Sequence, residues 1–241
     1  MITIEGRNPV LESLRAKQLI TDVFIKEGVL IDSKISEILE LCKKSKIRYK
    51  FVDKKFLDKM SNFAIHQGII AIRHETRQQS LLECLEDFEK RKQMPFVIYI
   101  REAQNEFNVG SIIRSAESAG ANLVILPPKT HITPQMIRAS MGASEHITVV
   151  NENLFSAIKT CQEWAMKVVG IELTGEKYYY QENLQGPMML IIGGEDRSLS
   201  AEVTNKCDFV VKIPQLGKVN SLNMSIAASI VMFEKVKQDL N

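Results

Sequence analysis

The sequence predicts an α/β protein in two parts, and three observations lead there. Beyond Pro95, short apolar runs alternate with stretches of helical period, the pattern of a parallel sheet covered on both faces. Before residue 75 a shorter series of the same kind is large enough to fold alone. Between them, residues 75–94 turn polar and charged, with a thin Leu81-Leu82-Leu85-Phe88 stripe. The expected organisation is a small domain over 1–74, a linker over 75–94 leading into a short helix, and a larger domain over 95–241.

Within the first part, Val10, Leu11 and Leu14 recur at helical spacing behind Pro9, a residue suited to the first helical position. Val23–Ile25 predicts a short strand, and Ile35, Ile38, Leu39, Leu41 and Cys42 form a helix stripe. Ile47–Val52 predicts a strand, Lys54–Ser61 a short helix and Gly68–Ile72 a last strand. In the larger domain, strand Phe96–Ile100 is followed by a loop over Arg101–Asn108 and a helix over Val109–Ala119. Strand Leu123–Leu126 and a Pro127-Pro128 turn lead to a helix around Thr133–Ser140 and a strand over Ile147–Val150. Helix Leu154–Met166, strands Val168–Leu173 and Met188–Ile192, and helix Ser200–Lys206 come next. Strand Val210–Ile213 ends at Pro214, and a helix from about Ser225 closes the chain.

Composition narrows the function classes. No apolar run reaches the length of a membrane span, and the first residues lack a basic–apolar leader pattern. Cys42, Cys84, Cys161 and Cys207 lie far apart, which points to reduced thiols in a cytoplasmic protein without a disulfide frame or a zinc knuckle. Four histidines show no metal-ligand spacing, so no metal is expected. Charge is uneven: residues 1–74 carry 14 Lys/Arg against 9 Asp/Glu, and Lys43–Lys59 holds eight cations against two anions. That asymmetry suits a polyanion partner, although a solvated helix face would look the same.

Ligands of open parallel sheets gather beyond the carboxyl ends of the strands. Glu106–Arg114, Thr174–Lys177, Gly193–Ser198 and Gln215–Asn223 fall there. A dinucleotide fold fails on detail, since Asn108-Val109-Gly110-Ser111 has one glycine where a pyrophosphate turn wants two or three. No Gly-Lys-Ser/Thr phosphate loop occurs either. Asn108, Arg114, Glu195, Ser221 and Asn223 gather at one edge of the proposed sheet. Singly, Arg114 reads as a surface cation, Glu195 as a helix N-terminal charge, and Ser221 and Asn223 as caps.

Taken together, Asn108 to Ala116, Ile191-Ile192-Gly193-Gly194-Glu195, and Ile213-Pro214 through Ser221-Leu222-Asn223-Met224-Ser225 resemble, in order, the three motifs of the SpoU (TrmH-like) RNA ribose 2′-O-methyltransferases. Gly6-Arg7-Asn8-Pro9-Val10 and His66-Gln67-Gly68-Ile69 resemble the start and end of the small substrate-binding domain of RlmB-type members, and Ser140-Met141-Gly142-Ala143 fits the catalytic domain. The resemblance covers essentially the whole chain.

This resemblance implies a SPOUT fold whose carboxyl-terminal part threads a loop to make a trefoil knot, against the usual no-knot rule. It implies S-adenosylmethionine bent in the knot loops, near Gly193, Ile213 and Leu222, with Thr174 and Gly175 close by. Arg114 would be base or phosphate clamp, the clamp being physically easier for a guanidinium. Asn108 would orient Arg114 and the ribose, Glu195 would fix Arg114 or a backbone amide, and Ser221 and Asn223 would position nucleotide and cofactor loop. A homodimer built on the last helix is implied, and the Ile226, Ile230, Phe233 stripe suits it, as it would suit a core helix. The implied substrate is a guanosine of 23S rRNA, with tRNA next; a non-catalytic RNA-binding assembly factor is the competing class. The second motif departs from the usual pattern at Asp196 and Ser198, where glycines are common, which bears on turn geometry and cofactor affinity.

Overall fold

The computed structural model describes residues 1–61, 66–74, 78–194, 198–218 and 221–241. The chain forms two compact units, one comprising Met1–Arg77 with Ile132–His146, the other Gln78–His131 with Ile147–Asn241.

In the first unit, β1 (Ile2–Glu5), α1 (Arg7–Arg15), β2 (Ile20–Lys26), α2 (Ser33–Lys44), β3 (Arg48–Val52), α3 (Lys54–Met60) and β4 (Ile69–Arg73) follow in order. The sheet runs β1-β4-β2-β3, with β2 and β3 parallel and the other pairs antiparallel. Its core joins Ile4, Val23, Ile25, Ile69 and Ala71 from the strands to Val10 and Leu14 of α1 and to Ile35 and Ile38 of α2. Strand β1 escapes the sequence reading because four residues are too few for a clear alternation. Asp32 caps α2 and Asp53 caps α3, each accepting from the backbone N–H three residues on. The quoted motif pieces meet: Gly6 N–H donates to Ile69 O, and Arg7 N–H donates to Gln67 Oε1.

The Thr133–Ser140 region, expected in the larger domain, packs instead with the first unit. Its helix α6 (Pro134–Ala139) puts Ile137, fully buried, into the core around β1 and α1. The Glu145 carboxylate, buried, accepts from the Arg73 guanidinium, and Gln18 Nε2 donates to Glu145 O at 3.1 Å. Gly142 has φ 94° and sits so close to Glu12 that a Cβ there would lie 2.7 Å from the Glu12 Cβ. Only glycine combines that left-handed backbone with that approach. Sequence order assigned the segment to its chain neighbours; burial assigns it elsewhere.

The second unit begins with α4 (Leu81–Lys90), the short helix expected at the end of the polar stretch. Ser80 and Glu83 close a capping box on its first turn. Leu81, Cys84, Leu85 and Phe88 are buried in the unit's core, which makes α4 part of the domain. There follow β5 (Phe96–Ile100), α5 (Glu106–Ser118), β6 (Leu123–Leu126), β7 (Thr148–Asn151), α7 (Leu154–Glu163), β8 (Lys167–Ile171), β9 (Lys177–Tyr178), β10 (Met188–Ile192), α8 (Ala201–Thr204), β11 (Phe209–Lys212) and α9 (Met224–Leu240). The seven strands pair in parallel throughout, in the order β7-β6-β5-β10-β8-β11-β9. Thus β10 enters between β5 and β8, and β11 between β8 and β9. Helices α4 and α7 cover the face that carries Val97, Tyr99, Met189 and Ile191. On the other face α5 and α9 lie together, Ser229 Oγ donating to Ser115 Oγ at 2.8 Å. No helix among the described residues is long and apolar enough to cross a membrane, and none of their His, Cys, Asp and Glu side chains group to hold a metal.

Ile137→Ala is expected to lower the stability of the first unit by about 2–5 kcal/mol, the usual effect of emptying a buried isoleucine site. Native-state hydrogen exchange at the amides of β2 and β4 measures it.

Candidate active site

Because every strand is parallel, the carboxyl ends of β5, β8, β10 and β11 finish side by side, with Ile192 paired to both Ile100 and Ile171, and Val211 to Ile171. Beyond them opens a cleft of about 410 Å³. One wall is Ile171, Glu172 and Leu173 at the end of β8; a second is Ile192, Gly193, Gly194 and Ser198 after β10. The third comes from Ile213 and Gln215 after β11 and from Ser221 to Met224 at the entrance of α9. Backbone and apolar surface dominate, with a few convergent polar groups, which is the usual make-up of a small-molecule site.

The structure brings several expected site residues together. Gly193, Ile213, Leu222, Ser221 and Asn223 all line the cleft. Asn223 is also the N-cap of α9: its Oδ1 accepts from Ser225 N–H at 2.9 Å and from Ser225 Oγ at 2.6 Å. Its Nδ2 donates to Asn108 Oδ1 at 3.0 Å, joining residues 115 apart in sequence. One side chain thus makes both the cap of α9 and the link to α5. Asn108, read as the end of a loop, lies inside α5, since Asn105 accepts from Asn108 N–H at 3.2 Å and starts the helix two residues earlier.

Arg114 stands six residues further along α5, about 9 Å of helix axis from Asn108. Its side chain is exposed, and no hydrogen bond or ion pair joins its guanidinium to another described residue. Helical side chains lean toward the amino-terminal end, so its reach is back toward the strand ends. Glu195 lies outside the described residues, as does Asp196.

Thr174 and Gly175 do not join this cleft. They line a separate depression of about 350 Å³ with Glu176, Lys177 and Asn205. Gly175 is there for packing: its N–H donates to Glu172 O, and a Cβ would meet Val210 O and Val211 C at 2.8 Å. The turn after β8 must pass flat against β11, and only a glycine permits that.

Three residues that sequence reading missed belong to the cleft's frame. Arg101, leaving β5, donates through its backbone N–H to Ile192 O at 3.1 Å and through Nη1 to Ser198 O at 2.7 Å. It therefore holds both arms of the segment that follows β10. Glu172 faces the cleft directly, its Oε1 accepting from Leu173 N–H at 2.9 Å and its Oε2 from Leu199 N–H at 2.7 Å. The strand-end rule points to this region, but the polar turn begins two residues beyond, at Thr174. Glu102 completes the frame, since a Cβ on Gly194 would overlap its carboxylate.

Covalent chemistry through a thiolate has no candidate. Burial pushes the Cys42 and Cys84 thiols up to about 11 and Cys161 up to about 12; burial and then Asp208 push Cys207 up to about 11. What the site offers is a backbone-walled slot, amide and hydroxyl side chains at its mouth, and an exposed guanidinium on the adjoining helix.

Gly175→Ala is expected to destabilise the second unit by about 1–3 kcal/mol, because the obstacle is strand backbone that cannot move aside. Gly194→Ala should have a smaller effect, since only the end of the flexible Glu102 side chain must swing away. Thermal unfolding of the two variants gives the comparison.

Residues 95–233 match the SpoU rRNA Methylase family, and residues 3–79 match the family described as RNA 2′-O ribose methyltransferase substrate binding. Among curated relatives, YacO of Bacillus subtilis, assigned to the TrmH family of tRNA/rRNA methyltransferases, is 31% identical over 232 residues, covering 95% of this chain and 92% of that one. A protein of Staphylococcus epidermidis with the same family assignment is 34% identical over 238 residues, 97% of this chain and 94% of its own. The fold is shared with the SpoU methyltransferase AviRb of Streptomyces viridochromogenes in complex with AdoMet, at a TM-score of 0.79 and 20% identity, over 98% of this chain and 89% of that one.

Proposed function

This chain belongs to the SpoU rRNA Methylase family, and from that premise we propose that it transfers a methyl group from S-adenosylmethionine to a ribose 2′-hydroxyl of RNA. The observation that carries the reading is the hydrogen bond from the Asn223 amide to the Asn108 amide at the mouth of a cleft walled by Gly193, Ile213 and Leu222, where segments of all three motifs meet. The cleft fits the cofactor: it has the volume of a small-molecule site, an apolar and backbone lining for a purine, and Gly194 where a side chain would collide with Glu102. S-adenosylmethionine supplies a methyl group already activated on a sulfonium, with a neutral thioether as leaving group. The protein's task is therefore orientation of the hydroxyl oxygen in line with the methyl carbon and sulfur.

In this reading Gly193, Ile213 and Leu222 hold the cofactor, with Ser221 and Asn223 at the point where the target ribose enters. Asn223 is kept in one orientation by its bonds to Ser225 and Asn108, so it presents a set geometry to the nucleotide. Arg114 acts as a clamp on an RNA phosphate, the role its permanent charge and planar fork suit. Glu195 is assigned to the support of Arg114 or of a backbone amide on the motif alone. Thr174 and Gly175, in the turn after β8, stand near the cofactor without lining its cleft.

The basic first part of the chain would carry the RNA, with a guanosine of 23S rRNA as the substrate and tRNA as the alternative. The entry of β10 and β11 between earlier strands supports the threaded, knotted arrangement expected of the family. A homodimer on α9 belongs to the same reading: Ile226, Ile230 and Phe233 share one helix face, and Ile226 and Phe233 are 52% and 47% exposed. That exposure is what a core helix would not show. A cytoplasmic setting follows from the RNA substrate.

Calorimetry with S-adenosylmethionine is expected to show binding; none at millimolar cofactor would favour a non-catalytic RNA-binding factor. Arg114→Ala should abolish methyl transfer to ribosomal RNA lacking the modification while leaving cofactor affinity within about twofold, and unchanged turnover would remove the assignment. Phe233→Glu combined with Ile226→Glu should shift the sedimentation coefficient from dimer to monomer.

A further inference from the structure

The cleft holds one carboxylate that the motifs do not account for. Glu172 follows β8 directly, lines the cleft, and has both oxygens fixed by backbone N–H groups, Leu173 at 2.9 Å and Leu199 at 2.7 Å. Its own N–H donates to Val211 O at 3.0 Å and its carbonyl accepts from Gly175 N–H at 3.1 Å, so the backbone beneath it is held as well. A carboxylate oxygen accepts about two hydrogen bonds, and each of these two is given one by the backbone. Each oxygen keeps one further acceptor position, and both sit on a rigid mount. Such a pair recognises a group with two adjacent donors.

We propose that Glu172 anchors the nucleoside ribose of the cofactor, accepting hydrogen bonds from its vicinal 2′- and 3′-hydroxyls. This rests on the reading of the cleft as an S-adenosylmethionine site. A carboxylate at the end of a parallel strand, receiving ribose hydroxyls, is the solution that other open α/β sheets reach for nucleosides. The geometry here is of that kind, because Gly193 and Ile213 directly follow the strands flanking β8 and supply a backbone slot for the base next to the acid. The other donors of the cofactor fit less well. The adenine amino group offers one in-plane donor toward an acceptor, the sulfonium offers none, and the α-ammonium, whose donors point out tetrahedrally, is the rival that the test separates. The hydrogen bond to Leu199 gives Glu172 a second effect, since ribose binding and the position of the segment after Ser198 become coupled through one side chain.

The test uses the full chain and isothermal calorimetry with three probes: S-adenosylhomocysteine, its 2′,3′-dideoxyribose analogue, and 5′-methylthioadenosine, which lacks the amino-acid arm. Glu172→Gln is expected to weaken S-adenosylhomocysteine and 5′-methylthioadenosine by roughly 10- to 100-fold, the range for hydrogen bonds to a charged group. The dideoxy analogue should keep the same Kd, within about twofold, in wild type and variant. Equal weakening of all three probes would reduce Glu172 to a support for Leu199 and overturn the proposal. Weakening of S-adenosylhomocysteine and its dideoxy analogue with 5′-methylthioadenosine unchanged would move the contact to the ammonium group and also overturn it. If Glu172→Gln fails to fold by thermal melt, Glu172→Asp, which keeps both acceptors on a shorter arm, carries the same three-probe comparison. Wild-type protein that binds none of the probes would remove the cofactor reading itself, whereas wild-type binding with no probe dependence in the variant removes only the ribose assignment.

Discussion

The candidate site depends on one constraint of strand order: β10 must lie between β5 and β8, and β11 between β8 and β9. Consecutive strands usually pair as neighbours, and this sheet leaves two gaps that only later strands fill. Because the ladders are all parallel, filling the gaps brings the exits of strands 5, 8, 10 and 11 to one edge. Three of those exits wall one cleft, and the fourth braces it through Arg101. Had β10 been added at the sheet's end, Gly193 and Arg101 would stand several strand spacings apart, and the Arg101 bonds to Ile192 and Ser198 would be impossible.

The last helix keeps that arrangement in place from both ends. At its start Asn223 caps the backbone and bonds Asn108 on α5. Near its other end Lys235, 2% exposed, donates to Leu184 O at 3.3 Å, Gly186 O at 2.9 Å and Asp239 Oδ2 at 2.6 Å, with its ammonium 5.1 Å from the Phe96 ring centroid. A buried ammonium is tolerated only when its donors are matched, and here they are matched by the segment that leads into β10. Gln238 adds bonds to the same segment, accepting from Leu184 N–H and donating to Glu182 O. The helix is thereby tied to the strand inserted beside β5 as well as to α5. The slot that α9 helps to wall is built on fixed supports, which is what in-line geometry needs.

The first unit shows a different economy of sequence. Its core is completed by Ile137, and its Arg73 is matched by Glu145, both from a segment that sequence order places between β6 and β7 of the other unit. A unit of that size has little apolar surface to spare, so borrowing a helix from elsewhere in the chain enlarges a small core. The four-residue turn Ser140-Met141-Gly142-Ala143 is shaped by this packing, with Gly142 pressed on Glu12.

The sequence by itself determined the α/β class, most of the strands and helices, and the identity of the side chains at the cleft's mouth. Periodicity and caps act over a few residues, so β5, β6, β10 and the stripe of α2 were legible without any tertiary knowledge. The motif likeness assembled Gly193, Ile213, Ser221, Leu222 and Asn223 as one group, and they share one cleft. Only the tertiary structure decided that Gly175 lies flat against β11, that α4 belongs to the second unit's core, that residues 132–146 complete the first, and that Glu172 lines the cleft. Each of these turns on which distant backbone lies opposite a residue. That is set by strand order and burial, and no local pattern encodes either.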